Sequence, residues 1–307
     1  GPSGLEADPA AGPLSDGNRV LEPGETAVIA PQWRVDGAGA QALEGRGTLS
    51  GPAGGIHVLA DGVARYPVIP DGGSGDCRAA PDCYEVLVDA AARPAGHWDA
   101  LLREDVRGSQ PEAMAWPLHV GDSFADVPRA DPFYRFVETA LHRGVTAGCR
   151  GGLYCPGSDT TRAHAAVFLL LARESAEYRP WDICRESFSD VPSGNPFCIW
   201  IQQLALEGVV TGCGGGRFCP EAAVTREQMA VMILRTLDRG MSPPACVVPQ
   251  FADVPATSPF CRWIEELARR GIVTGCGGGR YCPQAPVTRG QTAVFLVQAF
   301  GLRLYGP

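Results

Sequence analysis

The sequence predicts an all-β region over residues 1–121, followed by an all-α region built from three repeated two-helix units. Residues 1–121 lack helical periodicity and carry short runs of strand-forming residues between turns. The remaining residues repeat one pattern three times, and that pattern contains helix start and stop signals. We therefore expect four parts, at residues 1–121, 122–183, 184–245 and 246–307.

Four runs of β-branched and aromatic residues carry the strand prediction for the N-terminal region. They are Thr26 to Val35, Ile56 to Leu59, Val63 to Ile69 and Tyr84 to Val88. About 120 residues with roughly seven short strands is the size of an immunoglobulin-like domain. We expect an antiparallel β-sandwich of that kind, although the region lacks the Cys-Trp-Cys core signature of immunoglobulin domains.

The motif Phe-x-Asp-Val-Pro opens each repeated unit. It occurs at Phe124 to Pro128, Phe188 to Pro192 and Phe251 to Pro255, so the copies begin 64 and 63 residues apart. A Thr-Arg pair recurs downstream at the same two spacings, as Thr161-Arg162, Thr225-Arg226 and Thr288-Arg289. Self-similarity at a fixed period of this length indicates a repeat architecture.

Each unit also contains its own helix signals. The first helix should begin at a capping residue followed by proline, at Asp131-Pro132, Asn195-Pro196 and Ser258-Pro259. It should stop at a glycine, at Gly144, Gly208 and Gly271. The second helix should begin at the threonine of the Thr-Arg pair, where Gln228 or Gln291 completes a capping box and His164 takes that place in the first unit. The residues that follow are apolar nearly all round, so we expect the second helices to share one core.

Twelve cysteines favour an oxidising, extracellular setting. Local loop closure pairs cysteines that lie six positions apart, namely Cys77 with Cys83, Cys149 with Cys155, Cys213 with Cys219 and Cys276 with Cys282. The other four occur as couples in the second and third units and are absent from the first, which pairs Cys184 with Cys198 and Cys246 with Cys261. Zinc is the alternative, but it requires two loops to meet and no histidine has suitable spacing.

The order of these landmarks resembles the S-layer homology family. The shared pattern is Phe-x-Asp-Val-Pro, a helix ending in glycine, a glycine-rich loop ending in aromatic-Cys-Pro, and Val-Thr-Arg before an apolar helix. The resemblance implies a pseudo-threefold helical bundle that fastens proteins to cell-wall polysaccharide or peptidoglycan-linked glycan. It also implies that Arg162, Arg226 and Arg289 line inter-repeat grooves that hold an acidic sugar polymer, because a guanidinium binds a carboxylate through two hydrogen bonds.

The residues themselves leave a second interpretation open. The three copies read Thr-Arg-Ala-His, Thr-Arg-Glu-Gln and Thr-Arg-Gly-Gln, where the family usually has Thr-Arg-Ala-Glu. Each pair is then only a helix cap, with its arginine solvated or paired with an acid. Trp200 and Trp263 lie one residue off the apolar face of their helices, where they either stack on a sugar or pack at the boundary. We expect the motif aspartates to form turns rather than bind ligands; they are Asp126, Asp190 and Asp253.

An acidic segment near the N-terminus, Asp16 to Glu25, resembles the calcium loops at the start of some secreted sandwich domains. The candidate ligands are Asp16, Asn18, Glu22 and Glu25, since calcium binds hard oxygen ligands. A surface turn with solvated charges is the alternative. We expect no organic cofactor.

Composition and missing motifs restrict the function. The formal net charge of -8 disfavours nucleic acid and anionic membranes as partners. The longest apolar run, Ala165 to Ala172, is shorter than the roughly 20 residues that a membrane span needs, so we expect no membrane insertion. The sequence begins without Met or a leader, as expected of a processed, exported chain. No common catalytic motif is present, and we expect His97-Trp98-Asp99 to be strand packing.

We therefore expect an extracellular, non-enzymatic protein of the cell surface. In the first hypothesis it is an anchor that binds cell-wall glycan. In the second it is a self-assembling surface-layer or filament subunit that polymerises through sandwich edge strands and through a flexible segment, Leu5 to Leu14. A glycan-active enzyme is the third hypothesis.

Overall fold

A computed structural model of the chain describes residues 1–52, 57–89, 93–108, 111–180 and 184–306. Contacts divide the chain into two compact units. One contains Gly1–Glu138 and Arg303–Pro307, and the other contains Thr139–Leu302. Strands occupy the first unit and helices occupy most of the second, as expected for a β region followed by an α region. The boundary predicted at residue 121 stays a prediction.

The described residues of the first unit form short strands. These are β1 (Pro2–Ala7), β2 (Thr26–Arg34), β3 (Glu44–Ser50), β4 (His57–Asp61), β5 (Val63–Arg65), β6 (Ser74–Asp76), β7 (Tyr84–Val88), β8 (Asp99–Arg107) and β9 (Glu112–His119). The predicted strand at Tyr84 to Val88 is confirmed. The strand predicted over Val63 to Ile69 ends at Arg65, and Ile56 lies outside the described residues.

The strands pair in two antiparallel sheets. One sheet has the order β1-β2-β7-β4, with β6 also paired to β2, and the other has the order β5-β3-β8-β9. Side chains alternate between buried and exposed along β8, as a sheet with one covered face requires. The buried face includes Trp33, Trp116 and Tyr84, each fully buried.

Glu104 on β8 is fully buried and accepts hydrogen bonds from both sheets. Its Oε2 accepts from the indole nitrogens of Trp33 at 3.1 Å and Trp116 at 2.8 Å. Its Oε1 accepts from the hydroxyls of Tyr84, at 3.0 Å, and Tyr66. Burial raises the pKa of Glu104, although the four hydrogen bonds oppose that effect. A side chain at Gly45 would place Cβ 2.4 Å from Glu104 Oε1, so glycine is required beside it.

The N-terminal segment is part of this fold. Leu5 and Ala7 are buried on β1, which pairs with β2 of the same chain. The N-terminal amine donates to the carbonyl of Arg34 at 2.7 Å. The prediction of a flexible linker at Leu5 to Leu14 is therefore wrong for its first residues, because backbone hydrogen bonds fix them in a sheet.

Six helices lie in the described residues after the strands. They are α1 (Tyr134–His142), α2 (Arg162–Arg173), α3 (Cys198–Leu206), α4 (Arg226–Leu237), α5 (Cys261–Arg269) and α6 (Arg289–Phe300). None of these has the length and apolar character that a membrane crossing needs.

Helix starts are predicted better for the second helix of each unit than for the first. Thr161, Thr225 and Thr288 are the N-caps of α2, α4 and α6, as predicted, and Gln228 and Gln291 complete capping boxes. The first helices begin later than predicted, because the proposed cap closes a turn instead. In the second unit Asn195 Oδ1 accepts from the amide of Phe197 at 2.8 Å, and the helix starts at Cys198.

All six predicted disulfides are present. They join Cys77 to Cys83, Cys149 to Cys155, Cys184 to Cys198, Cys213 to Cys219, Cys246 to Cys261 and Cys276 to Cys282. No cysteine is left free in the chain. The zinc alternative is therefore excluded for these residues.

Replacing Glu104 by Gln tests the buried cluster. The amide loses the negative charge and replaces one oxygen by an NH2 group, which cannot accept the two hydrogen bonds that this oxygen receives, so we expect the free energy of unfolding to fall by about 2 to 3 kcal/mol. Glu85→Gln on the exposed face of β7 is the matched control and should change it by less than about 0.5 kcal/mol. Urea unfolding measures both variants. Equal stability of the two would contradict the role given to Glu104.

A second test concerns His119, which is fully buried in the first unit. Its Nδ1 lies 3.1 Å from Asp99 Oδ1 and its Nε2 lies 2.7 Å from Glu138 Oε2. Burial lowers the pKa of His119, but the hydrogen bonds to the two carboxylates outweigh burial and raise the pKa. A group whose pKa is higher in the folded state stabilises the fold below its unfolded pKa and loses that contribution as pH rises through the folded pKa.

We therefore expect the stability difference between wild type and His119→Gln to be largest near about pH 5 and to shrink towards about pH 9. Denaturant titrations across this range measure it. His97→Gln is the control, since the exposed His97 also contacts Asp99, with Nε2 at 3.0 Å from Oδ1. A difference that stays constant or grows with pH argues against a protonated His119.

Candidate functional site

The three repeats are joined in a closed cycle of backbone hydrogen bonds within the second unit. The amide of Thr160 donates to the carbonyl of Val287 at 2.8 Å, Val287 donates to Val224 at 2.9 Å, and Val224 donates to Thr160 at 3.0 Å. The second helices α2, α4 and α6 contact one another pairwise. The residue before each Thr-Arg pair is therefore hydrogen-bonded to both of the other repeats.

The arginine of each Thr-Arg pair crosses to the cysteine loop of another repeat. Its Nε donates to the carbonyl of the aromatic residue before the second loop cysteine, at 2.8 Å in all three copies. Its guanidinium carbon lies 4.6 to 4.8 Å from the centre of the same aromatic ring, within cation–π range. The pairs are Arg162 with Phe218, Arg226 with Tyr281, and Arg289 with Tyr154.

These arginines are buried, with 7%, 5% and 7% of their surfaces exposed for Arg162, Arg226 and Arg289. Burial lowers the pKa of Arg162 and Arg226. Among the described residues, neither forms an ion pair with a carboxylate, although Asp190 and Asp253 act on their pKa values in the opposite direction to burial, and Arg226 Nη2 has no hydrogen-bond partner. The interpretation of a solvated arginine is wrong for these two, because both are buried. The sequence does show the aromatic-Cys-Pro segment, but it does not show that an arginine reaches that segment.

In the second and third repeats the motif aspartate holds the cysteine loop of its own repeat. Asp190 accepts from the amides of Phe218 at 2.7 Å and Cys219 at 2.8 Å, and Asp253 does the same for Tyr281 and Cys282 at the same distances. The loop amides lower the pKa of both aspartates, although burial opposes them. The aspartates therefore fix the carbonyl groups that the arginines contact.

The two candidate tryptophans have neighbours of their own. The half-buried Trp200 meets Tyr178 edge-on, with ring centres 6.3 Å apart. Trp263 is 7% exposed, and the guanidinium of Arg235 lies 5.0 Å from its ring centre. Both rings thus take part in boundary packing, and Trp263 also lines an open cleft beside Arg262.

The predicted calcium ligands are only partly brought together. Asp16 and Glu25 offer carboxylate oxygens to one cluster, together with Asp8, which the sequence analysis missed. Asn18 instead donates its side-chain amide to Asp16 at 3.1 Å and to Glu22 at 2.7 Å. Glu22 faces Arg129, with Oε2 3.8 Å from Nη1, and burial raises its pKa to about 9.

Three segments of the chain match the S-layer homology domain, at residues 123–166, 187–230 and 250–293. The chain is similar to an S-layer protein of Bacillus licheniformis, with 28% identity over 189 residues that make up 57% of the chain and 20% of that protein. It is also similar to a cellulosome-anchoring protein of Acetivibrio thermocellus, with 25% identity over 163 residues, 52% of the chain and 36% of that protein.

A further match is an endoglucanase of Bacillus sp. strain KSM-635, with 33% identity over 113 residues, 37% of the chain and only 12% of the enzyme. This match is confined to the repeat region. The chain spans between about a tenth and about a third of these relatives. Each of these three segments is therefore similar to the S-layer homology domain, and together they give three such repeats between residues 123 and 293.

Proposed function

We propose that this chain is a non-enzymatic protein of the cell surface whose repeats bind an acidic cell-wall glycan through Arg162, Arg226 and Arg289. The observation that carries the proposal is the state of Arg226. Its guanidinium is buried, forms no ion pair within 4.0 Å of a carboxylate in the described part of the chain, and leaves Nη2 without a hydrogen bond there. A buried donor without an acceptor is costly, so an anionic ligand that supplies one would be bound favourably.

The fixed orientation of the arginines also supports anion binding. Because Nε is held by a carbonyl and the guanidinium lies over a ring, the side chain loses little conformational freedom on binding. A carboxylate or ketal oxygen of an acidic sugar would meet a guanidinium that is already positioned. The names of the relatives, two of them an S-layer protein and a cellulosome-anchoring protein, agree with attachment to the cell wall.

A self-assembling surface-layer subunit is the second candidate, favoured by the S-layer proteins among the relatives. For the β region we propose an immunoglobulin-like sandwich, since Glu104 in one sheet bonds to Trp33 and Tyr84 in the other. The edge strands β1 and β4 carry backbone groups that a neighbouring chain can pair with. Ordered arrays in electron micrographs of the concentrated protein would favour this candidate, and monodisperse particles would favour the anchor alone.

Replacing Arg162, Arg226 and Arg289 together by Lys tests glycan binding. Lysine keeps a positive charge near each ring but lacks the planar fork, so we expect binding to purified cell walls of the producing organism to weaken at least about tenfold. Co-sedimentation with the walls measures it. The variant also loses the Nε bonds that join the repeats, so circular dichroism must first show that it is folded.

The matched control carries three exposed arginines of the β region changed to Lys, at Arg34, Arg46 and Arg103. It removes the same number of guanidinium groups without touching the repeats, and it should sediment with the walls like wild type. Equal binding by wild type and by the folded repeat variant would contradict the assignment of the arginines.

A further inference from the structure

Three carboxylates converge in the loop that connects β1 to β2. Asp8, Asp16 and Glu25 each offer one oxygen atom, and these oxygens all lie within 4.8 Å of one another. We propose that Asp8, Asp16 and Glu25 bind a calcium ion, at a site independent of the proposed glycan function.

Two of these carboxylates are buried, and in each of them one of the two oxygens accepts a hydrogen bond. Asp8 is fully buried and Glu25 is 4% exposed. Ser15 donates its hydroxyl to Asp8 Oδ1, and the amide of Glu22 donates to Glu25 Oε1 at 2.8 Å. The other oxygens, Asp8 Oδ2 and Glu25 Oε2, have no hydrogen-bond partner among the described residues. An unsatisfied buried carboxylate is costly, and a bound cation removes that cost.

The backbone of the loop brings the carboxylates together. Asp8 has a left-handed φ of 48°, and its carbonyl accepts from the amide of Arg19 at 3.1 Å. Gly17 has a φ of 73° and packs so closely that a Cβ would lie 2.2 Å from the amide nitrogen of Ala11. These contacts close the loop so that Asp16 returns towards Asp8. The site is thus arranged by the fold and is not left for the ion to organise.

Asn18 and Glu22 support the site without binding the ion. The backbone amide of Asn18 donates to Asp16 Oδ1 at 3.0 Å, and its side-chain amide donates to Asp16 Oδ2. Glu22 receives the same side-chain amide and faces Arg129. Asn18 therefore orients the carboxylate of Asp16, and Glu22 lies against Asn18 and Arg129, outside the cluster of converging oxygens.

The ligand chemistry favours calcium. All the converging atoms are carboxylate oxygens, which are hard ligands, and the cluster contains no histidine or cysteine. The three carboxylates supply three converging oxygens, and calcium, which accepts roughly six to eight oxygens in flexible geometry, would complete its shell with water. Magnesium requires near-ideal octahedral geometry and retains its water, so it should bind more weakly here.

The test is calcium titration of the chelator-stripped full chain by isothermal calorimetry, with the melting temperature recorded in calcium and in chelator. We expect one bound ion per chain and a higher melting temperature with calcium, since a ligand that binds only the folded state stabilises it. Asp16→Asn and Glu25→Gln should each weaken calcium binding by at least about tenfold. Asp36→Asn, the same change at an exposed aspartate outside the cluster, should bind like wild type.

The wild-type titration does not depend on whether a variant folds. Absence of both heat and a calcium-dependent melting temperature in wild type at about pH 8, where carboxylates are normally ionised, overturns the proposal. Unchanged calcium affinity in folded Asp16→Asn and Glu25→Gln overturns it as well. Loss of cell-wall binding with calcium binding intact would affect the glycan proposal alone.

Discussion

The second unit depends on hydrogen bonds that pass from each repeat into another. Arg162 of the first repeat bonds to Phe218 of the second, Arg226 of the second bonds to Tyr281 of the third, and Arg289 of the third bonds back to Tyr154 of the first. Each loop carbonyl thus accepts a hydrogen bond from an arginine of another repeat. The aspartates and disulfides keep the loops in the shape that this exchange needs, so local and long-range constraints act on the same few residues.

In the first unit, by contrast, buried acids organise the polar interior. Glu104 collects four donors, and Glu138 accepts from the amide and hydroxyl of Ser123 as well as facing His119. A buried carboxylate is tolerated when several donors surround it, because the donors replace the water that it lost. Among the described residues Asp8 and Glu25 lack that full set of donors, and this difference separates the proposed calcium site from the structural cluster at Glu104.

The repeat landmarks made much of the second unit predictable, since caps, glycines and cysteine spacings are local features of the sequence. Thr225 and Gln228 lie three residues apart, so their capping box can be predicted from the sequence alone. The partner of Arg289 lies 135 residues away, and no local pattern identifies it. The place of Asp8 in the acidic cluster could not be predicted either, because only the turn of the folded loop brings its carboxylate close to that of Asp16. The starts of the first helices are predicted too early because a helix-capping residue and a turn-forming residue cannot be told apart in the sequence.

The three inter-repeat contacts are not chemically equal. Tyr154 and Tyr281 return a hydrogen bond from their hydroxyls to the carbonyls of Arg289 and Arg226, whereas Phe218 has no hydroxyl to return to Arg162. The junction between the first and second repeats has other side-chain bonds instead. Arg162 Nη1 donates to Gln228 Oε1 at 3.5 Å, and Arg173 donates to both carboxylate oxygens of Glu207, at 2.6 and 3.1 Å. Because salt screens ion pairs, ionic strength acts on this junction through Arg173 and Glu207, so three junctions with the same backbone bonds need not respond alike to a change of salt.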